Sequence, residues 1–314
     1  MDYLLINNQY VIGKQLGKGS FGEIYMGFDK NETTKLVAIK LEKLDNDPHK
    51  NDANKDIRLL PLESNIYRYL YEPNKGIPAI YWSGIQDDYN VLVIEMLGPN
   101  LENLFNLCHR NFSLKTTVMI AQEIIKRIQY VHSRGVVHRD IKPENFLIGL
   151  NSNEVYIIDF GLCKMFKNSD NTHITQTQHK KLVGTVRYAS LNCHQGNETS
   201  RRDDMESIGY MLIYFLKGTL PWQGLGPKGI NRDEKYQMIH SCKQNTTSEQ
   251  LCQGLPKEFR LYMEHVKSLG FNEKPNYNYL YNLFTQLFKK NKFIYDNNYD
   301  WTRLKKDKSI KATK

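Results

Sequence analysis

Residues 138–145 read His-Arg-Asp-Ile-Lys-Pro-Glu-Asn, and a short way downstream stand Asp159, Phe160 and Gly161. A carboxylate, a lysine two positions on and an asparagine five positions on would share one loop. That set suits phosphoryl transfer, in which a protein mainly positions groups and neutralises charge. Asp140 would accept a hydrogen bond from an attacking hydroxyl and take its proton late, while Lys142 neutralises charge on the transferred phosphate. Asn145 and Asp159 offer oxygen ligands of the hard kind that Mg²⁺ prefers. Taken singly, each could cap a helix or shape a turn. Their joint spacing argues for chemistry.

Upstream, Gly17-Lys18-Gly19-Ser20-Phe21-Gly22-Glu23-Ile24 fits G-x-G-x-x-G-x-[V/I]. The pattern falls between two predicted strands, which excludes the strand-to-helix context of a dinucleotide fingerprint. Glycines let backbone approach phosphate oxygens closely and present amide donors, as a flap over a nucleotide requires. Val37-Ala38-Ile39-Lys40 follows, and a lysine inside an apolar strand needs an anionic partner. Glu63, on the next predicted helix, is the natural carboxylate to hold Lys40 against the α- and β-phosphates of ATP. Glu72, beside Pro73 near the helix end, is the substitute. Leu16, Ile24 and Ala38 would cover the adenine from above and Leu147 and Ile158 from below. Ile94 would stand at the back, with Glu95 and Leu97 offering backbone groups to the base edge.

Two kinds of framework are needed to position these residues. Residues 10–41 alternate apolar and polar positions around turn signals, which predicts a β-meander. Residues 45–56 are polar and loop-like. Leu59, Leu62, Ile66, Tyr67 and Leu70 then recur at helical spacing and predict one helix over 59–71. Strands follow at 80–82 and 89–95. Gly98-Pro99 breaks the pattern, and helical period dominates beyond it, at 101–108, 114–133 and 204–217, with short strands at 146–148 and 156–158. The expectation is an α+β chain: a β-rich lobe over 1–97 with one key helix, a larger mainly helical lobe over 98–302, and a short basic tail over 303–314.

Composition narrows the classes. With 40% apolar and 25% charged residues the chain has a globular make-up. No apolar run approaches the roughly 20 residues of a membrane span, and the first residues lack the features of a signal peptide. Five scattered cysteines without C-x-x-C pairing read as reduced thiols of an intracellular protein. Nine dispersed histidines show no metal-ligand spacing. The formal charge of +9 favours anionic partners. No recognised nucleic-acid motif accompanies it, so nucleic acid is not an expected partner.

Longer strings add a resemblance. Gly184-Thr185-Val186-Arg187-Tyr188-Ala189-Ser190-Leu191-Asn192 stands in place of an A-P-E motif and is similar to G-T-A-R-Y-A-S-I-N. Leu97-Gly98-Pro99-Asn100-Leu101-Glu102, Ser200-Arg201-Arg202-Asp203-Asp204 and Leu220-Pro221-Trp222-Gln223-Gly224-Leu225 fit as well. In these the chain resembles the casein kinase 1 family of serine/threonine protein kinases, over about residues 8–302. The resemblance implies a bilobal protein-kinase fold, ATP and Mg²⁺ as cofactors, and transfer to serine or threonine of acidic or already phosphorylated proteins. It also implies a usually monomeric enzyme that needs no activation-loop phosphate. Arg187 and Lys235, with Lys180 and Lys164 near Arg139, match basic positions that bind anions in the family. Asp204 matches an aspartate that braces the catalytic loop. Glu144 departs from the family's aspartate, Cys163 from its alanine, and residues 51–60 depart more widely. Two readings compete: a scaffold that binds ATP without turnover, and a binder of nucleic acid or membrane surfaces drawn by charge. The expected location is the cytoplasm, with the basic tail leaving the nucleus open.

Overall fold

A computed structural model describes residues 4–19, 22–44, 59–178, 182–227 and 229–304. Its contacts divide the chain into two units. The first takes Met1–Pro99 together with Leu147–Gly161, and the second takes Asn100–Phe146 and Leu162–Lys314. Leu147–Gly161 thus joins the first unit from well along the chain.

In the first unit β1 (Leu5–Ile6), β2 (Tyr10–Gly19), β3 (Gly22–Asp29), β4 (Glu32–Lys43), β5 (Ile80–Gln86) and β6 (Tyr89–Glu95) form one sheet in the order β1-β2-β3-β4-β6-β5. α1 (Leu59–Leu70) lies between β4 and β5 in sequence. Period two decides the two faces of β4: Val37 and Ile39 are fully buried with Val91, Val93, Ile6 and Tyr10, whereas Ala38 and Lys40 stay partly exposed on the other face. Cross-strand pairing puts Ile24 opposite Lys40 and Ile94 opposite Ala38, so these four share that face. A register shift between Gln15 and Gly17 leaves Leu16 as the bulged residue, 49% exposed. β7 (Leu97–Asn100), β9 (Phe146–Gly149) and β10 (Val155–Ile157) make a second, three-stranded sheet in the order β10-β9-β7. The Ile157 amide donates to Gly76 O at 2.8 Å, tying the returning segment to the approach of β5.

The second unit is helical: α2 (Leu101–Leu107), α3 (Leu114–Ser133), α4 (Leu191–His194), α5 (Arg201–Lys217), α6 (Arg232–Asn245), α7 (Ser248–Leu251), α8 (Lys257–Ser268) and α9 (Tyr277–Lys290). α5 is its centre, buried from Asp203 through Phe215 and packed against α3 and α8, while α9 covers α3. A helix apolar or hydrogen-bonded all round belongs inside such a unit. β8 (Val136–Val137) and β11 (Lys164–Met165) pair antiparallel. Among the described residues no helix is long and apolar enough to cross a membrane.

Candidate active site

In the first unit Lys40 Nζ sits 2.6 Å from Glu63 Oε2 and 3.7 Å from Asp159 Oδ1. The Glu63 side chain is 3% exposed and that of Lys40 15%. Burial works to lower the Lys40 pKa, but Glu63 and Asp159 outweigh it and hold the ammonium charged. Burial pushes Glu63 upward, with Lys40 opposing. Glu63, on α1, is thus the carboxylate that meets Lys40. The helix is set in turn by Glu42, whose carboxylate accepts from the Leu59 and Leu60 amides at 3.2 and 3.4 Å and from Asn90 Nδ2 at 2.8 Å. Those amides belong to the first turn, which lacks intrahelical acceptors. Asp159 adopts φ +67 and donates its amide to the Tyr67 hydroxyl at 2.9 Å. Tyr67 also meets Phe160 edge-on, with centroids 5.1 Å apart.

The glycine-rich hairpin pairs Gly17 with Ile24, Lys18 with Glu23 and Gly19 with Gly22. Gly22 has a local reason to be glycine: its φ is +125 and a Cβ would fall 2.1 Å from Leu41 O. At Gly17 and Gly19 a Cβ would meet nothing within 4 Å among the described residues. Packing therefore does not demand glycine there, and the absence of a Cβ leaves the backbone open to close approach. Ser20 and Phe21 lie outside the described residues. Lys18 and Glu23 pair on the surface at 2.9 Å.

The residues expected around an adenine are the half-open ones of their strands. Ile24, Ala38, Ile94, Leu147 and Ile158 are all intermediate in exposure, between fully buried neighbours such as Val37, Phe146 and Ile157. Leu97 is buried. Glu95 donates its own amide to Ala79 O at 2.9 Å, so that amide is already committed within the first unit.

In the second unit the Asp140 carboxylate is held from two sides. Lys142 Nζ stands 2.5 Å from Oδ2, while Thr185 gives its amide at 2.8 Å and its hydroxyl at 2.7 Å to Oδ1. Burial works to raise the Asp140 pKa, but Lys142, Thr185 and His138 outweigh it and keep the carboxylate ionised below its ordinary range. Asn145 donates Nδ2 to Asp140 O at 2.9 Å, which leaves its amide oxygen as an acceptor. Gly184 must be glycine: φ is +85 and a Cβ would sit 2.3 Å from Arg139 O. Arg139 itself takes φ +69. That strained turn is pinned by Asp204, which accepts the His138 and Arg139 amides at 2.7 and 2.9 Å and also meets His132 Nε2 at 2.9 Å.

The basic set is only partly assembled. Lys164 Nζ is 2.5 Å from Glu198 Oε2, and Arg139 is 3.9 Å from Glu198 Oε1. Glu198, with a side chain 1% exposed, thus already serves as an internal anion for both. Nothing in its Gly-Asn-Glu-Thr-Ser setting singles it out in the sequence. Arg187 lies over the rings of Tyr188 and Tyr214, at 5.7 and 5.8 Å from their centroids. Lys235 is exposed on α6, and no contact among the described residues joins it to Arg187. Lys180 falls outside the described residues. Glu144 is partly buried, which pushes its pKa up, and Cys163 is half-buried. Among the described residues no cluster of His, Cys, Asp and Glu forms a ready metal cage.

The family model of the protein kinase domain matches residues 10–291, a span that takes in the whole constellation just described.

Proposed function

The chain belongs to the protein kinase family, and on that premise we propose a serine/threonine kinase of the casein kinase 1 type, acting on acidic or phosphate-primed proteins. The observation that carries phosphoryl transfer within this proposal is the Asp140 carboxylate, ionised and fixed by Lys142 and by both donors of Thr185.

In the proposed reaction Asp140 orients the substrate hydroxyl and takes its proton as the oxygen bonds to the γ-phosphorus of ATP and ADP leaves. Lys142 bears on the charge of the transferred group. Lys40, kept charged by Glu63, contacts the α- and β-phosphates, and the backbone at Gly17, Gly19 and Gly22 covers them. Ile24, Ala38, Ile94, Leu147 and Ile158 enclose the adenine. Asn145 and Asp159 would hold Mg²⁺, which neutralises charge across the phosphates.

Serine/threonine choice and the preference for an anion rest on the family resemblance and on Arg187. Its guanidinium is stacked on rings rather than spent on a carboxylate in any ion pair among the described residues, and such a group suits a phosphate bidentately. Arg139 and Lys164 are weaker candidates, because Glu198 already neutralises them. The same reading makes the protein a monomeric intracellular enzyme, and its five unbridged cysteines agree with a reducing compartment.

Two pairs of peptides test the proposal, one differing by a phosphoserine three residues before the acceptor and one exchanging acceptor serine for tyrosine. Transfer to serine that is stronger on the primed peptide supports it. Transfer to tyrosine alone, or equal use of primed and unprimed peptides, refutes the specificity.

A further inference from the structure

α6 is mostly polar and exposed, yet Lys243 in its last turn is only 2% exposed. Its ammonium donates to Val186 O at 2.9 Å and to Ala189 O at 2.6 Å. It also stands 5.0 Å from the Trp222 ring centroid and 5.1 Å from that of Tyr210. A lysine withdrawn from water requires partners of this kind. Burial presses its pKa down to about 7, with Glu206 opposing and Lys267 adding to the pressure. In either protonation state the nitrogen can donate to both carbonyls; the ammonium adds charge to the bonds.

The carbonyls it grips flank the proposed anion contact Arg187, in the segment that runs on from Asp140's partner Thr185. Trp222 Nε1 donates to Arg187 O at 2.7 Å, so the carbonyls of residues 186, 187 and 189 are each tied by a side chain from elsewhere in the unit. Within the segment the Tyr188 and Ala189 amides donate to Thr185 O at 2.9 and 3.0 Å. Thr185 in turn holds Asp140. A single buried amine thereby fixes the backbone on both sides of Arg187.

We propose that Lys243 is a positioning residue for peptide recognition: by tying Val186 O and Ala189 O it fixes the backbone from which Arg187 reaches a substrate phosphate. The direction given to Arg187 rests on its reading as the anion contact. The fixing of the segment does not.

The test uses the full chain as wild type, Lys243→Met, Lys243→Gln and Arg187→Gln. kcat and KM are measured for the primed and unprimed peptides, with KM for ATP and the melting temperature alongside. Loss of two buried hydrogen bonds predicts that Lys243→Met raises the peptide KM about tenfold or more. The primed-over-unprimed preference should shrink in parallel, with KM for ATP within about twofold of wild type. Glutamine keeps two N–H donors without the charge and is expected to recover part of the loss; if the methionine variant does not fold, glutamine against wild type carries the comparison. An unchanged peptide KM overturns the proposal, as does a loss spread equally over peptide and ATP in step with a lower melting temperature. Absence of primed preference in wild type, or its survival in Arg187→Gln, refutes the anion contact alone. Lys243 is then judged on the unprimed peptide, where a tenfold rise upholds its hold on the segment and no rise overturns it.

Discussion

Thr185→Val replaces a hydroxyl of the proposed catalytic arrangement with a methyl group and leaves its shape. The hydroxyl donates to Asp140 Oδ1 at 2.7 Å, while the Thr185 amide, 2.8 Å from the same oxygen, survives the change. A hydrogen bond to a charged group contributes about 1.5–3 kcal/mol. At 1.4 kcal/mol per decade that is about a 10- to 100-fold fall in kcat, nearer the lower figure because the main-chain donor and Lys142 still grip the carboxylate. Burial works to raise the Asp140 pKa, and Lys142 and Thr185 are among the groups that overcome it. Removing one of them raises that pKa, so the acid limb of the pH–rate profile moves to higher pH. Thr185→Ser restores the hydroxyl and is expected to recover most of the rate with the wild-type limb. Peptide phosphorylation followed from pH 5 to 8 reads both effects. The reasoning fails if valine matches wild type in kcat, or if serine is no better than valine.

Three further outcomes follow from the same geometry. Glu63→Gln breaks a buried ion pair and is expected to cost about 3–5 kcal/mol in denaturant unfolding and to raise KM for ATP; an unchanged KM would separate Glu63 from nucleotide binding. Glu42→Gln weakens the carboxylate that serves the first turn of α1. Faster amide exchange at Leu59 and Leu60 and a loss of about 0.5–1 kcal/mol are expected, and unchanged protection there would contradict that role. Glu198→Gln withdraws the internal negative charge from Lys164 and Arg139, so a phosphoserine peptide should bind severalfold more tightly in calorimetry, by about 1 kcal/mol. Weaker binding would show that Glu198 organises the anion site rather than competing with it.

The legible parts of this chain are those whose cause is local. Strand period gives β4 its two faces, and with them the placing of Ala38 and Lys40 away from Val37 and Ile39. The helical period over 59–71 carries Glu63 to Lys40, because a helix keeps one residue in 3.6 on a face. The proposed catalytic loop is legible because Asp140, Lys142 and Asn145 stand so near in sequence that the short chain between them keeps them close in space. What escapes the sequence depends on distant partners. Leu147–Gly161 joins the first unit through sheet pairing that no local pattern encodes. α6 is so polar that Lys243 reads as a solvated lysine, and only tertiary packing reveals Val186 O and Ala189 O at its tip. Glu42, near the end of β4, and Glu198, in a loop, each bind groups well removed in the chain, which no local pattern shows.

The central claim is that this protein transfers phosphate with Asp140 as the residue that orients the hydroxyl and receives its proton. The most direct measurement is single-turnover transfer from labelled ATP to a serine peptide by wild type and Asp140→Asn, with ATP affinity determined on the same samples. The account predicts a fall of about a hundredfold or more in the transfer step with ATP affinity within about twofold. Transfer by the asparagine variant at the wild-type rate would contradict it.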